Sequence, residues 1–500
     1  MTRLSAIPGD LTAQTADLIV HFQFEGDPAP VSVADPRLRE SLAAILKGDR
    51  FVAKPDASLL WHGDGRQTAS RYLVQGLGSR DLFHRGVLHR AAAAAGAQAT
   101  ELKARRVGAA LAPASQWNLD LSEAARAVAG GFLYGCYRFN KYLTDSRGSA
   151  DPEELILGTQ RGEPGKARPI LVEVAAVDRV LRLARDLVSE HPGYLTPERM
   201  AEIARKEAKQ AGVSCRILRE PEMRRLGMGG MLGVSRGSEH PAVLIHLTHR
   251  PRPRGKKGTP RVVLVGKGVT FDTGGISLKH SDGMEAMKAD MSGSASVLAT
   301  LLALPALRIG AEVHGLLMMV ENMPDGRAIR PGDILTIHNG KTVEIRSTDA
   351  EGRLILADGL SYACRKLAPD YLVDLATLTG ACMVALGPAC TGVMGNDDLL
   401  VRRILECASA TGERMWQLPL YPEYREHIRS DVADVKNSGI RYGGAITAGL
   451  FLQNFVEPTV RWVHLDIAGP AFYETGYGYA PKGATGVGVR TLLRFLGTLD

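Results

Sequence analysis

The chain has few cysteines and no stretch that is apolar and long enough to cross a bilayer. Six cysteines occur in 500 residues, and none forms a CxxC pair of the kind that zinc and redox sites use. We therefore expect reduced thiols in a cytoplasmic protein. The first twenty residues lack the continuous apolar segment of a secretory signal, and no uncharged apolar run approaches the ~20 residues of a membrane helix. These absences predict a protein without a membrane partner.

The sequence also lacks internal repeats, low-complexity tracts and any recognised nucleic-acid-binding motif. Its formal net charge of +7 nevertheless permits some attraction to nucleic acid. The sharpest basic run is THRPRPRGKKG at 248–258. Because this run lies between two β-rich segments, we interpret it as a solvated loop, and nucleic acid stays a partner that no motif supports.

Strand-like and helix-like segments alternate along the chain, which is typical of α/β proteins. A polar stretch with Gly and Pro, TQRGEPGKARP, leads into a long amphipathic pattern. We predict a smaller N-terminal α/β domain at 1–168 and a linker helix at about 170–190. The larger α/β domain, at 169–500, is expected to have a central mixed sheet with helices on both faces.

The residues that indicate chemistry lie in short stretches of the C-terminal half. VGKGVTFDTGGISLK (265–279) is followed by MKADMSG (287–293), and STDAEGRL occupies 347–354. Charged groups among apolar residues are costly to bury unless they are paired or bound to metal. Their concentration here predicts an active site, and the acid-rich set suggests two divalent ions. The candidates are Lys267, Asp272, Lys279, Asp290, Asp349, Glu351 and Arg353.

Local patterns place these candidates at the ends of strands. RVVLVG reads as a buried strand, with Lys267 directly after it and Asp272 in a Gly-rich turn. Asp290 is expected at the entry of a helix. Sites in open α/β sheets form at the carboxyl ends of strands, so these side chains should converge.

The second stretch follows a predicted hairpin. Asn339-Gly340 is a strong two-residue turn signal between DILTIH and KTVEIRST. We expect the second strand to run into Asp349 and Glu351, which point to the same side if the segment is extended. Arg353 would then lie at the start of the next helix.

The ligand types narrow the chemistry. Oxygen-rich sets suit Mg, Mn or Zn, and carboxylates that bridge two ions suit hydrolysis by an activated water. A lysine ligand must lose its proton, which requires desolvation and nearby positive charge. The sequence therefore favours a two-metal hydrolase.

These motifs resemble the leucyl aminopeptidase (cytosol aminopeptidase) family of two-metal exopeptidases. The resemblance covers roughly 330 residues, from ARDLV to the C-terminus, and matches the first domain only loosely. It includes, besides the stretches above, ENMPDGRAIRPGDI, DLATLTGA and DVKNSGIRYGGAITAGLFL in the family's order. It implies removal of one N-terminal residue at a time from peptides with a free N-terminus.

The resemblance also implies a role for each candidate. Lys279 would stabilise the oxyanion of the tetrahedral intermediate, and Arg353 would hold a bicarbonate-type anion that acts as general base. Asp272 and Glu351 would bridge two ions, Zn or Mn with Mg as a further candidate. The five implied metal ligands are Lys267, Asp272, Asp290, Asp349 and Glu351.

Substrate contacts and assembly follow from the same resemblance. The residue released is expected to be leucine or another apolar residue, and one set of positions would line the pocket for its side chain. Family members form hexamers, so a homohexamer is expected. The implied substrate-binding residues are Met287, Thr377, Gly380, Ala468 and Ala471.

Three departures from the family pattern bear on efficiency and substrate preference. Ser347 stands where the family usually has Asn, and Ser292-Gly293-Ser294 replaces Gly-Gly-Ala. SEHPGYLTP replaces an Asn- and Pro-rich stretch after ARDLV. None of them removes an implied ligand or catalytic residue.

Other functions stay open at this point. The main alternative is a related two-metal amidase or dipeptidase of narrow specificity. An aminopeptidase with an added DNA-binding role, or a DNA-binding scaffold on the same frame, is a further alternative. GMGGMLG at 227–233 lacks the GxGxxG spacing of a dinucleotide-binding enzyme, and we interpret it as a loop or turn.

Overall fold

A computed structural model describes residues 2–9, 11, 14–33, 35–63, 69–144, 150–251, 258–478 and 480–499. The chain divides into two compact units. The N-terminal unit comprises Met1–Arg179, Ala410–Gly412 and Thr475–Lys482, and the C-terminal unit comprises the remainder. The predicted boundary at 168/169 stays a prediction. Positions 252–257 of the basic run lie outside the described residues.

The N-terminal unit is built on a six-stranded sheet in the order β1-β6-β5-β2-β4-β3. All of its pairings are parallel except that of β3 with β4. β2 is buried along its whole length, as expected of a parallel strand covered on both faces. The strands are β1 (Arg3–Pro8), β2 (Leu18–Phe24), β3 (Ser58–His62), β4 (Arg71–Gly78), β5 (Arg106–Ala110) and β6 (Glu154–Thr159).

Helices connect these strands and begin at recognisable caps. The Asp35 side chain accepts from Arg37 N and Leu38 N ahead of a proline at the first turn of α1. Asp120 caps α4 in the same way through Glu123 N. The helices are α1 (Pro36–Gly48), α2 (Arg85–Glu101), α3 (Ala114–Trp117), α4 (Leu121–Cys136) and the long α5 (Pro164–Ser189). α5 occupies the range predicted for the linker helix, and its role as a linker stays a prediction.

The C-terminal unit has an eight-stranded mixed sheet in the order β15-β14-β17-β13-β9-β10-β8-β7. Its centre, β17-β13-β9-β10, is parallel, and antiparallel pairings flank it. The strands are β7 (Ser214–Arg219), β8 (Val243–His249), β9 (Arg261–Asp272), β10 (Glu312–Asn322), β13 (Tyr371–Ala376), β14 (Thr391–Gly395), β15 (Met415–Gln417) and β17 (Arg461–Asp466).

Two smaller sheets complete the strands of this unit. A three-stranded sheet has the order β11-β12-β16, and a two-stranded sheet pairs β18 with β19. The antiparallel pairing of β11 with β12 around Gly340, whose φ is +89°, confirms the predicted hairpin. The strands are β11 (Ile334–Thr336), β12 (Thr342–Glu344), β16 (Val435–Lys436), β18 (Phe472–Tyr473) and β19 (Gly483–Ala484).

Helices cover both faces of the eight-stranded sheet, which confirms the predicted fold class. A Cβ on Gly266 would meet Ser294 of α9, whereas Val265 beside it lies against Gly359 of α10. Neighbouring residues of β9 therefore pack against helices on opposite faces. The helices are α6 (Pro197–Ala211), α7 (Glu220–Leu226), α8 (Gly229–Val234), α9 (Ser292–Leu307), α10 (Gly352–Tyr362), α11 (Gly380–Leu386), α12 (Asp398–Thr411), α13 (Gly444–Gln453) and α14 (Val489–Leu496).

Three local expectations were wrong in detail. β9 does not end before Lys267 but continues to Asp272, because its partner β10 extends equally far. The stretch after Glu344 is not an extended strand, and Glu351 already has helical backbone angles as the residue before α10. Residues 229–233 of GMGGMLG lie in helix α8, whereas Gly227 and Met228 form the turn before it. Gly230 lets α8 approach the Leu354 carbonyl of α10.

One helical segment of the described chain is apolar and long enough to pass as a membrane span. It runs from Met284 to Leu307 and combines a 3-10 segment with α9. Eighty-three per cent of its apolar window is buried inside the protein, as in a core helix. The six cysteines are free thiols, as the lack of CxxC spacing predicts.

A buried polar cluster joins β13 to β17 beneath the site. Asp374 accepts from Trp462 Nε1 at 2.7 Å, and its other oxygen lies 2.6 Å from His464 Nδ1. All three side chains are fully buried. Burial alone would lower the pKa of His464, but the adjacent Asp374 carboxylate outweighs burial and raises it.

We expect this pair to stabilise the fold most at low pH. Because the pKa of His464 is raised in the folded state, its contribution is fully present below the unfolded value of about 6.5. It is lost as the pH rises through the folded value. His464→Gln should therefore lower the thermal midpoint more at pH 6 than at pH 9. An equal loss at both pH values would show that the pair is not charged.

Candidate functional site

The candidate residues gather at the carboxyl ends of the central parallel strands. Lys267 and Asp272 lie on β9, and Asn322 is the last residue of the neighbouring β10. Asp290 lies in the 3-10 segment that leads into α9, and Glu351 directly precedes α10. The sequence analysis predicts the site at this edge, where the carboxyl ends of the parallel strands lie.

Three of the acids form a compact buried cluster. The ligand oxygens of Asp272, Asp290 and Glu351 all lie within 4.8 Å of one another. Their residues are 2%, 6% and 1% exposed. Asp290 Oδ2 is buried and has no hydrogen-bond partner among the described residues. Buried carboxylates this close repel one another, so the cluster requires positive charge.

Lys267 supplies part of that charge from within β9. Its Nζ lies 2.7 Å from Asp290 Oδ1 and 2.9 Å from Glu351 Oε1, and it donates to the Thr377 carbonyl at 3.0 Å. The contact with Glu351 lies outside hydrogen-bond geometry and is an ion pair only. Gly352 makes room for this side chain, since a Cβ there would lie 2.5 Å from Lys267 Cε.

Burial and neighbouring charges both shift the pKa values of the cluster. Burial raises the pKa of Asp290 and Glu351, and the neighbouring carboxylates add to that effect. Burial opposes the charged form of Lys267, but Asp290 and Glu351 outweigh it and raise the pKa of the lysine. A divalent cation would reverse these directions, because it stabilises carboxylates and repels an ammonium.

Lys279 and Asp349 lie on the more open side of the cluster. Lys279 Nζ is 2.8 Å from Asp272 Oδ2 and also contacts Asp349 Oδ1. The Lys279 side chain is 23% exposed and that of Asp349 is 39% exposed. Two ammonium groups thus contact four carboxylates across the site, which leaves negative charge that a cation could balance.

Arg353 is a buried cation without a direct counter-ion. Its Nη1 donates to the Asn437 carbonyl at 2.7 Å, whereas its buried Nε has no partner among the described residues. No carboxylate of the described chain forms an ion pair with it. Burial lowers the pKa of Arg353 to about 10, so it stays charged at neutral pH. A buried guanidinium of this kind calls for an anion.

Several supporting side chains were not predicted. Asn322 Nδ2 donates to Asp272 Oδ1 at 2.8 Å and to the Thr348 carbonyl at 3.1 Å. Asp466 accepts from Thr379 Oγ1 at 2.7 Å and from two backbone groups of the turn after β13. Asn322 and Asp466 are each the polar last residue of a buried strand. That pattern could have identified them from the sequence.

The residues predicted for the substrate pocket lie on three neighbouring segments. Thr377 donates to Asp290 Oδ1 at 2.7 Å and so also supports the acid cluster. Gly380 begins α11 after β13, while Ala468 and Ala471 follow the adjacent β17. Met287 lies in the 3-10 segment beside Asp290 and is half-buried. That these residues line one pocket stays a prediction.

Comparisons with known proteins identify the family and agree with the fold. Residues 182–493 match the profile of the cytosol aminopeptidase family, catalytic domain, and residues 21–146 match that of its N-terminal domain. These matches define a peptidase, a hydrolase of the leucyl aminopeptidase class. The chain belongs to the cytosol aminopeptidase family.

Related sequences and structures cover nearly the whole chain. A probable cytosol aminopeptidase of Geobacter sp. (strain M21) is 45% identical over 465 residues, 92% of each chain. The bottromycin maturation enzyme BotP, solved in complex with Mn, is 38% identical with a TM-score of 0.85 over 97% of this chain and 99% of its own. A mutant of tomato leucine aminopeptidase is 34% identical with a TM-score of 0.88 over 100% and 97%. The family and the Mn-bound neighbour support a divalent metal cofactor.

Proposed function

We propose that the enzyme removes the N-terminal residue, preferentially leucine or another apolar residue, from peptides with a free N-terminus. The buried cluster of Asp272, Asp290 and Glu351, with ligand oxygens within 4.8 Å of one another, carries this proposal. The unpartnered Asp290 Oδ2 fits a cation, since an oxygen without a donor is costly to bury. Two divalent ions, Zn or Mn with Mg as a further candidate, would be held by Lys267, Asp272, Asp290, Asp349 and Glu351.

Lys267 fits this set only as a neutral amine. With no cation nearby, Asp290 and Glu351 hold it as an ammonium. Cations at those oxygens would remove this stabilisation, and the burial of the side chain would then favour loss of the proton. Metal loading should therefore release protons, which is consistent with a lysine buried among acids.

The bound ions and Lys279 would have separate roles in the reaction. Bound ions would activate a water and polarise the scissile carbonyl. Lys279 is the ammonium that reaches toward solvent, so it would stabilise the oxyanion that develops on the substrate. Asp272 and Asp349 hold its Nζ in place before substrate arrives.

Arg353 would hold a bicarbonate-type anion. Its charge is buried, its Nη1 donates to the Asn437 carbonyl, and no described residue is a hydrogen-bond partner of its Nε. A planar anion would satisfy the free edge of the guanidinium. It would also place a weak base close to the acid cluster, since Arg353 lies two residues after Glu351.

The proposed ions favour substrates with a free amine. Cations held by the four carboxylates would offset their charge and would bind the neutral α-amine of a peptide, whereas acetylation removes the lone pair that the amine would donate. The apolar side chains of Met287, Ala468 and Ala471 near this edge would favour an apolar first residue.

We also propose a cytoplasmic location and a homohexameric assembly. The support for both is family membership, because the relatives are named cytosol aminopeptidases and the resemblance implies hexamers. Light scattering on the purified protein would test the assembly, and a mass of one 53.7-kDa subunit would refute it.

Leucine release from Leu-Gly-Gly tests the function directly. We expect cleavage of the free peptide and none of its N-acetylated form. Activity should disappear after metal stripping and return on readdition of Mn or Zn. Equal cleavage of the acetylated peptide would contradict an aminopeptidase, and full activity of metal-free protein would contradict the metal-dependent mechanism.

A further inference from the structure

Asn437 links two parts of the site that lie on different segments. Its Oδ1 accepts from Arg346 N at 2.8 Å and from Ser347 N at 3.3 Å. Its Nδ2 donates to the Ser347 carbonyl at 2.6 Å and to the Ala350 carbonyl at 3.3 Å. Its own carbonyl accepts from Arg353 Nη1.

The amide of Asn437 has no spare hydrogen-bonding capacity. A primary amide offers two donors and two acceptor positions, and here all four are used. The residue is fully buried, and its N–H donates to the Glu344 carbonyl at 3.0 Å. A fully satisfied buried network of this kind fixes its members in one arrangement.

We propose that Asn437 is a positioning residue that couples the placement of Arg353 to that of the segment 346–350. This proposal rests on the proposed function of Arg353 and of the acid cluster. The segment contains Asp349 and leads directly into Glu351, so its position sets where both carboxylates lie. The hydrogen bonds of the side-chain amide also hold the backbone of Asn437 in place. They therefore fix the Asn437 carbonyl, which accepts from Arg353 Nη1.

The partners of Asn437 explain why a serine suffices at 347. Among the described residues, the side chain of Ser347 accepts from Asp349 N at 3.3 Å and makes no hydrogen bond to Asn437. The segment is instead fixed through the backbone N–H and carbonyl of that residue. The amide that orders this segment therefore comes from Asn437, across the small sheet.

Asn437→Asp tests the proposal with a minimal change in shape. The aspartate keeps both acceptor contacts but turns an oxygen toward the Ser347 and Ala350 carbonyls. We expect kcat for Leu-Gly-Gly to fall about 10–100-fold, and the half-saturating Mn concentration, measured by direct binding, to rise about tenfold, as for other residues that orient metal ligands. KM should change less than threefold.

Asn396→Asp is a matched control. Asn396 also joins two backbone groups, since its Nδ2 donates to the Val460 carbonyl and its Oδ1 accepts from Trp462 N. Within the part of the chain that the structure describes, Asn396 has no hydrogen bond to a residue of the site. We expect it to lower thermal stability while kcat and Mn binding stay within twofold. If Asn437→Asp behaves like this control, Asn437 is structural only and the proposal is overturned.

A double-mutant cycle with Arg353→Lys tests the coupling itself. Because Asn437 contacts both Arg353 and the segment 346–350, Asn437→Asp should lower kcat by a clearly smaller factor in the Arg353→Lys background than in the wild type. Full multiplication of the two losses would contradict coupling. Asn437→Ser removes the amide without adding charge and makes the same comparison if the aspartate variant does not fold. Metal-independent activity of the wild type would instead refute the proposed function.

Discussion

Glu351→Ala is expected to abolish metal binding and activity together. Glu351 is 1% exposed and its carboxylate lies within the three-acid cluster. The loss of kcat/KM should exceed the roughly 10²–10³-fold cost of removing a single transition-state donor. Bound Mn per subunit, measured by elemental analysis after gel filtration, should fall in parallel with turnover.

Two further variants make this result specific. Glu351→Gln keeps the shape and removes the charge, and it should lose metal nearly as completely. Glu413 is also a buried carboxylate of the C-terminal unit, but it accepts from Gly488 N and Thr491 N at the start of α14. Glu413→Gln should lower stability and leave metal content unchanged. Full metal content and normal turnover in Glu351→Ala would refute the assignment of Glu351 as a ligand.

Lys279→Ala is expected to retain metal and lose most of kcat. Lys279 contacts Asp272 and Asp349 but is 23% exposed in its side chain, so it faces the space where substrate would lie. Its removal leaves those carboxylates free for cations while a donor to the oxyanion is lost. We expect kcat to fall about 10²–10³-fold, with KM changed by less than about threefold.

An exposed lysine provides the comparison for this variant. Lys341, in the turn between β11 and β12, donates to the Asn454 carbonyl and forms no ion pair with the acid cluster in the described part of the chain. Lys341→Ala should leave kcat unchanged. If Lys279→Ala loses metal instead of turnover alone, Lys279 acts by holding Asp272 and Asp349 rather than by stabilising the oxyanion.

The candidate residues could be recognised from the sequence because they lie in short local patterns. A continuous β-branched run predicts β9, and the charged residues that interrupt it are improbable in a core without a function. Asn339-Gly340 likewise predicts its hairpin, since the turn geometry depends on those two residues alone. The convergence of both motifs at one edge follows from the parallel sheet.

Other features depend on contacts between distant segments and could not be read from local patterns. Asp349 and Glu351 are two residues apart, yet one is 39% exposed in its side chain and the other is buried within the acid cluster. The backbone turns into α10 between them, which no period-2 pattern predicts. Asn437 is 86 positions from Glu351 in the chain, and only the small three-stranded sheet shows that it orders the same segment.

Crystals of the wild-type enzyme soaked in Mn would test the central claim most directly. The anomalous signal of Mn identifies the ions without reference to activity. We predict two anomalous peaks per subunit, both coordinated by members of the set Lys267, Asp272, Asp290, Asp349 and Glu351. The absence of any peak at this cluster, in crystals of protein that cleaves Leu-Gly-Gly in the same buffer, would contradict the account.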